Sequence, residues 1–219
     1  MNKAINNIGF WSGLVAFAAT VAYVIVQVLQ VAGVIHFPWD EILIYSASLC
    51  IVIPFILEML ALHYATPDAK RFWSHAALVF SILYSVFVTA NYVVQLAMVI
   101  PGKLKGDADD IHLLEQTPHS LFWDFDALGY IFMGLAMLAA VPVFEKQGFQ
   151  KWVRISFLAN ALVTPLIAFV YFYQAWSENL LFLGFPWGIT APVTMLMLAL
   201  LLRRNYRHKP GQLSASHDL

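Results

Sequence analysis

Six stretches of this chain are each long enough and apolar enough to cross a lipid bilayer: 8–35, 42–64, 74–100, 124–144, 151–176 and 184–203. A bilayer core of about 30 Å needs roughly 20 apolar residues per helix. Within that core each backbone N–H and C=O must be paired inside its own segment, so such runs are helices. The expected fold is therefore all-α: a polytopic integral membrane protein, one six-helix transmembrane bundle over residues 1–207. The first run is too long for the h-region of a signal peptide, about 7–15 residues, and is kept as a span.

Composition agrees. Charged residues make up 11% of the chain, hydrophobic ones 61%, and mean hydropathy is +0.72. A soluble domain carries about 25% charged residues because its surface faces water. The formal net charge of -1, with no basic stripe outside the loops, argues against a nucleic-acid partner. Cys50 is the one cysteine, so no internal disulfide is available.

Charge sets the expected orientation. Six spans put both termini on one side. That side holds Lys3, Lys70, Arg71, Lys146, Lys151, Arg154, Arg203, Arg204, Arg207 and Lys209, all but two of the 12 Lys and Arg. Lys103 and Lys105 are the two on the other side. Cytoplasmic loops are enriched in Lys and Arg, so both ends are expected inside, in a bacterial inner (plasma) membrane. Residues 208–219, polar and containing Pro210 and Gly211, read as a disordered cytoplasmic tail. Trp39, Trp123, Trp176 and Trp187 are expected at the outer interface, and Trp11, Trp73 and Trp152 at the inner one. The longest connection joins the third and fourth runs. Its segment Ile111 to Leu121 reads as an amphipathic piece on the outer leaflet.

Placing residues at 100° intervals groups the polar side chains on faces. The first run aligns Ser12, Thr20, Tyr23, Gln27 and Gln30; the third aligns Ser81, Tyr84, Ser85, Asn91, Tyr92 and Gln95. The fifth aligns Ser156, Asn160, Thr164, Tyr171 and Gln174, and the fourth offers Asp126 and Tyr130. Small and polar residues in spans commonly serve as packing glue, hydrogen-bonding across helices. Many amides and phenols at one depth ask for more than glue. Gln27, Gln30, Asn91, Tyr92, Gln95, Tyr171 and Gln174 all fall in the outer half, with Asp126 at the outer start of the fourth run. An outward-facing polar cavity lined by Tyr23, Gln27, Asn91, Tyr92, Gln95, Asp126, Tyr130 and Gln174 is expected.

Glu58 is the deepest acid, within "PFILEMLALHY". A charged acid at mid-helix costs about 2.5–3.5 kcal/mol on insertion scales. Two roles fit it: a structural hydrogen bond to Asn160, or a proton-titratable group at the cavity floor. An ion pair with Arg154 or Lys151 is the third. Asp124 and Asp126 sit at a helix start, where capping is their ordinary role. His112 and His119, with Asp109, Asp110 and Glu115, match no standard metal spacing. His36, His63 and His75 lie near span ends, which does not suit a haem. GxSxG, HExxH and phosphate-binding glycine loops are all missing.

No cofactor and no metal are expected, and no catalytic residue is assigned. The bilayer is the expected partner, with a small-molecule or lipid ligand and the oligomeric state left open. The reading is a protein that binds or transports a small molecule, proton-linked through Glu58. Its alternatives are a membrane-embedded enzyme acting on a lipid head group, and a structural or accessory subunit without a small ligand.

Overall fold

The computed structural model describes residues 3–106 and 111–207. The expected tail over 208–219, and Asp109 and Asp110 of the long connection, lie outside the described residues. The elements are α1 (Lys3–Val31), α2 (Trp39–Ala65), α3 (Arg71–Val94), a short α4 (Ile100–Lys105), α5 (Leu121–Ala140), α6 (Gly148–Phe172) and α7 (Phe185–Arg207), with no strand among the described residues. α3 and α4 form one span, so six helices are long and apolar enough to cross a membrane.

Each span packs chiefly on its sequence neighbours: α1 on α2, α2 on α3, α3 on α5, α5 on α6, α6 on α7. α7 then returns to α1. The result is a closed ring in sequence order. The end where α1 begins and α7 finishes is the near end, and the opposite one is the far end.

Several boundaries differ from the sequence expectation, each for a local reason. α1 stops at Val31 because Gly33 adopts a left-handed φ of +66°, a conformation that favours glycine. α6 stops at Phe172 because Tyr173 is extended. The third span continues to Lys105 straight through Pro101. Proline has no N–H and crowds the carbonyl four residues back. The helix widens to accommodate it: the Ile100 N–H bonds to the Gln95 carbonyl, five residues earlier. Such wide turns re-aim the side chains around them.

The outside of the ring is apolar. On α2, Ile53 is 63% exposed and Leu57 is 37% exposed, whereas the adjacent Glu58 is fully buried. That contrast puts Glu58 on the inner face. Gly9 and Gly13 let α1 close onto α2 and α7. A Cβ at Gly13 would collide with the Glu58 carboxyl and lie 2.7 Å from the Ala199 Cβ. At the near end Lys70 pairs with Glu145 at 2.6 Å and holds its carboxyl below the usual glutamate range. A depressed acid contributes above its unfolded pKa and loses the contribution as pH falls through the folded one.

The tryptophan belts are only partly as expected. Trp39, Trp11 and Trp152 are exposed at the ends of their helices. Trp123 and Trp187 are buried instead. Trp123 stacks on Tyr171 at 4.5 Å and donates its indole N–H to the Tyr171 carbonyl at 3.0 Å. Trp187 sets its edge against Tyr23 and Tyr130. Both rings pack inside the ring, toward its far end.

Candidate functional site

α5 begins at Leu121 because the Ser120 hydroxyl accepts the Trp123 N–H at 3.2 Å. Ser120 therefore takes the capping role that position suggested for Asp124 and Asp126. Asp126 is turned into the ring and is 3% exposed. Tyr92 of α3 donates to its Oδ1 at 2.6 Å. Tyr171 of α6 and Gln116 Nε2 donate to its Oδ2, the latter at 3.1 Å. All three neighbours donate, and an ionised carboxylate has acceptor sites for each. Hydrogen bonds to charged groups are worth about 1.5–3 kcal/mol net, which offsets the desolvation of a buried acid.

A second network lies across the ring. Tyr130 of α5 and Tyr23 of α1 share a hydrogen bond of 2.9 Å between their hydroxyls. Tyr23 donates to Gln27 at 3.1 Å, Gln27 to Gln30 at 2.9 Å, and Gln30 to Asp40 at 3.0 Å. This chain runs from the middle of the bundle to the far end. Between the two networks is a void of about 10 Å³, lined by Ser48, Ile51, Tyr84, Val88, Tyr92, Tyr130 and Trp187. That is room for about one water. The buried Trp187 Nε1 has no acceptor among the described residues. Behind the lining, Phe55 packs in a T-shaped contact with Tyr84 at 5.4 Å.

Residues 111–120 cover the far end as a strap of turns rather than an amphipathic helix on the leaflet. The reason is Gln116, whose side chain points inward. Its Oε1 accepts from Asn91 Nδ2 at 2.9 Å, and its backbone N–H donates to Gln95 Oε1 at 3.2 Å. Gln95 Nε2 donates to the Leu114 carbonyl at 2.8 Å. Gln95 is positioned for this by the wide turn before Pro101. The strap is clipped from outside by Lys103, which reaches Glu115 at 2.5 Å and Glu41 at 3.1 Å. Replacing Lys103→Met should loosen the strap without unfolding the ring, at a cost of about 1 kcal/mol for a cluster whose side chains are 22–28% exposed. Amide hydrogen exchange should quicken over residues 111–120 and stay unchanged in α5. Equal protection in both proteins would show that the clip does not hold the strap.

Of the residues singled out in the sequence, Asn91, Tyr92, Gln95 and Asp126 come together in one network, and Tyr23, Gln27 and Tyr130 in the other. Gln174 is exposed in the connection after α6 and joins neither. Glu58 also lies apart, about 10 Å along α2 from Ile51 at 1.5 Å per residue. Among the described residues neither of its carboxyl oxygens has a hydrogen-bond partner within 3.5 Å. Asn160, the expected partner, donates to Thr190 at 3.3 Å instead. Arg154, the expected counter-ion, is taken up by the carbonyls of Val141 at 3.1 Å and Phe144 at 3.4 Å. Both face different neighbours because α6 is not adjacent to α2 in the ring.

Three members of the site were not named among the expected cavity residues. Tyr171 lay on the polar stripe of its run and at the right depth, but was not assigned to the cavity lining. Trp187 read as an interfacial anchor. Gln116 carried no signal, since nothing in a connecting segment marks which side chain turns inward. Among the described residues no three His, Cys, Asp or Glu side chains are grouped to hold a metal. No protein-family model matches the chain, and no curated protein or solved structure matches it either.

Proposed function

We propose that this multi-pass membrane protein binds a small molecule from its far end at Asp126, and that binding or passage is linked to protonation of Glu58. The far end is then the outer side and the termini are cytoplasmic, as the Lys and Arg bias of the connections favours. The observation that carries the reading is Asp126, an acid buried within a span and covered by a strap rather than by another helix. Intramembrane ionisable residues are costly, and they mark ligand or proton pathways more often than scaffolding. Glu58 supports the second half. Its carboxyl is fully buried on the near-end side of the void, and neither oxygen meets a hydrogen-bond partner among the described residues.

Native mass spectrometry tests the site. The wild-type protein, Lys103→Met and Lys103→Met/Asp126→Asn are extracted gently and compared. A small-molecule mass enriched by the loosened strap and lost with Asp126→Asn is the expected result. A mass that persists in the double variant would move the ligand elsewhere, and a bare chain in all three would overturn the reading.

A structural or accessory subunit is the second reading, favoured by how completely the networks satisfy themselves around a void of about 10 Å³. It requires that Asp126→Asn leave the cellular role intact.

A further inference from the structure

The Asp126 site is filled by a piece of the chain itself. The Gln116 carboxamide comes from a connection, enters between α3 and α5, and makes directional bonds there. Its Nε2 donates to Asp126 Oδ2 at 3.1 Å, its Oε1 accepts from Asn91 Nδ2 at 2.9 Å, and its backbone N–H donates to Gln95 Oε1 at 3.2 Å. With Gln116 withdrawn, the site would present a carboxylate acceptor, an amide donor and an amide acceptor. These three groups come from α3, the wide turn that follows it and α5, all parts of the spans that build the ring.

We infer that the Asp126 site recognises a small carboxamide, and that Gln116 stands in the place of this ligand while the strap is closed. The inference rests on the proposed binding function and names its ligand class. The complement of the exposed groups is an N–H and a C=O held side by side. A primary amide has both on one side, as the Gln116 carboxamide does, whereas an ordinary trans secondary amide points them in opposite directions. An ester lacks the donor for Asp126. An ammonium ion lacks the acceptor for Asn91. A carboxylate would set a second negative charge against Asp126. Sites built to hydrogen-bond a polar group reject analogues that lack it, because their own buried groups are then left unpaired. A tethered Gln116 competes at an effective concentration in the millimolar range, so the closed strap sets a threshold for the ligand. The Lys103 clip to Glu115 and Glu41 raises that threshold from outside.

The test is chemical rescue. Gln116→Ala is purified in detergent and its thermal unfolding is followed with acetamide, methyl acetate or tetramethylammonium added at matched concentrations. Acetamide at ten times its Kd is expected to raise the unfolding temperature of Gln116→Ala by about 2–5 °C. It should leave the wild type, whose site is filled, unchanged, and should fail with Gln116→Ala/Asp126→Asn. Methyl acetate and tetramethylammonium should do nothing. If one of these two rescues as well as acetamide, the carboxamide inference is overturned while a small-molecule site at Asp126 stands. If none of the three shifts Gln116→Ala, both the inference and the binding function fall. Should Gln116→Ala not fold, Lys103→Met carries the same question. Acetamide should then quicken hydrogen exchange over residues 111–120 by displacing Gln116, and an unchanged rate would overturn the proposal.

Discussion

Replacing Asp126→Ala is expected to destabilise the protein by about 3–5 kcal/mol, the range seen when one partner of a buried charged network is removed. The carboxylate is the common acceptor for Tyr92, Tyr171 and Gln116. Without it three donors lose their acceptor inside the bundle. A buried donor left unpaired costs about 1–3 kcal/mol. The sum is held down because Gln116 can swing out with its strap, whereas the two tyrosines are fixed on α3 and α6. Asp126→Asn should cost less, since one acceptor oxygen remains. Unfolding in mixed detergent micelles, followed by tryptophan fluorescence, measures the difference. Trp123 packs on Tyr171 and reports locally. A loss below about 1 kcal/mol for Asp126→Ala would mean that these bonds contribute little in the assembled bundle.

Glu58→Leu has the opposite expected sign. Both carboxyl oxygens are buried without a hydrogen-bond partner among the described residues, between Gly13 of α1 and Ala199 of α7. Removing an unsatisfied buried polar group recovers its desolvation penalty, so the variant should be more stable by about 1–3 kcal/mol. Leucine also suits the buried neighbours on its own helix, Phe55, Met59 and Leu62. A gain in stability with a loss of pH-dependent binding or uptake would be the trade-off expected of a functional acid. Glu58→Gln should remove the pH dependence while leaving shape unchanged. A destabilised Glu58→Leu would show instead that the carboxyl is satisfied in the membrane, by water or by a backbone group.

The two acids show what the sequence made legible and what it did not. Six spans could be read directly, because bilayer thickness imposes a length and composition that few other constraints can mimic. The polar faces were also legible, since helical periodicity is local. Tyr23, Asn91, Tyr92 and Gln95 could be placed at one depth by counting residues. Which faces meet was not legible. The stripes of α1, α3 and α6 converge on α5, through Tyr130 and Asp126, and the ring order that brings them there depends on packing between spans. For the same reason Glu58 and Asn160 looked like partners at matched depth and are not. Helix ends were read least well. Gly33 and Pro101 act by backbone geometry, and hydropathy does not register it. Asp126 looked like a cap until Ser120, nearly two turns earlier, was seen to fill that role.

The sequence-ordered ring also dictates a timetable for synthesis. α1 and α2 can pair as soon as both have left the ribosome, so Gly13 meets Glu58 early. The other wall beside Glu58, Ala199, belongs to the last helix made. At about 5–20 residues per second, that wall arrives roughly 10–30 s after Glu58 itself is synthesised. During this interval the acid stands beside an open seam of the half-built bundle, within reach of water, lipid head groups or an insertion chaperone. Closing the seam with α7 is therefore both the final step of assembly and the moment at which Glu58 becomes enclosed by protein.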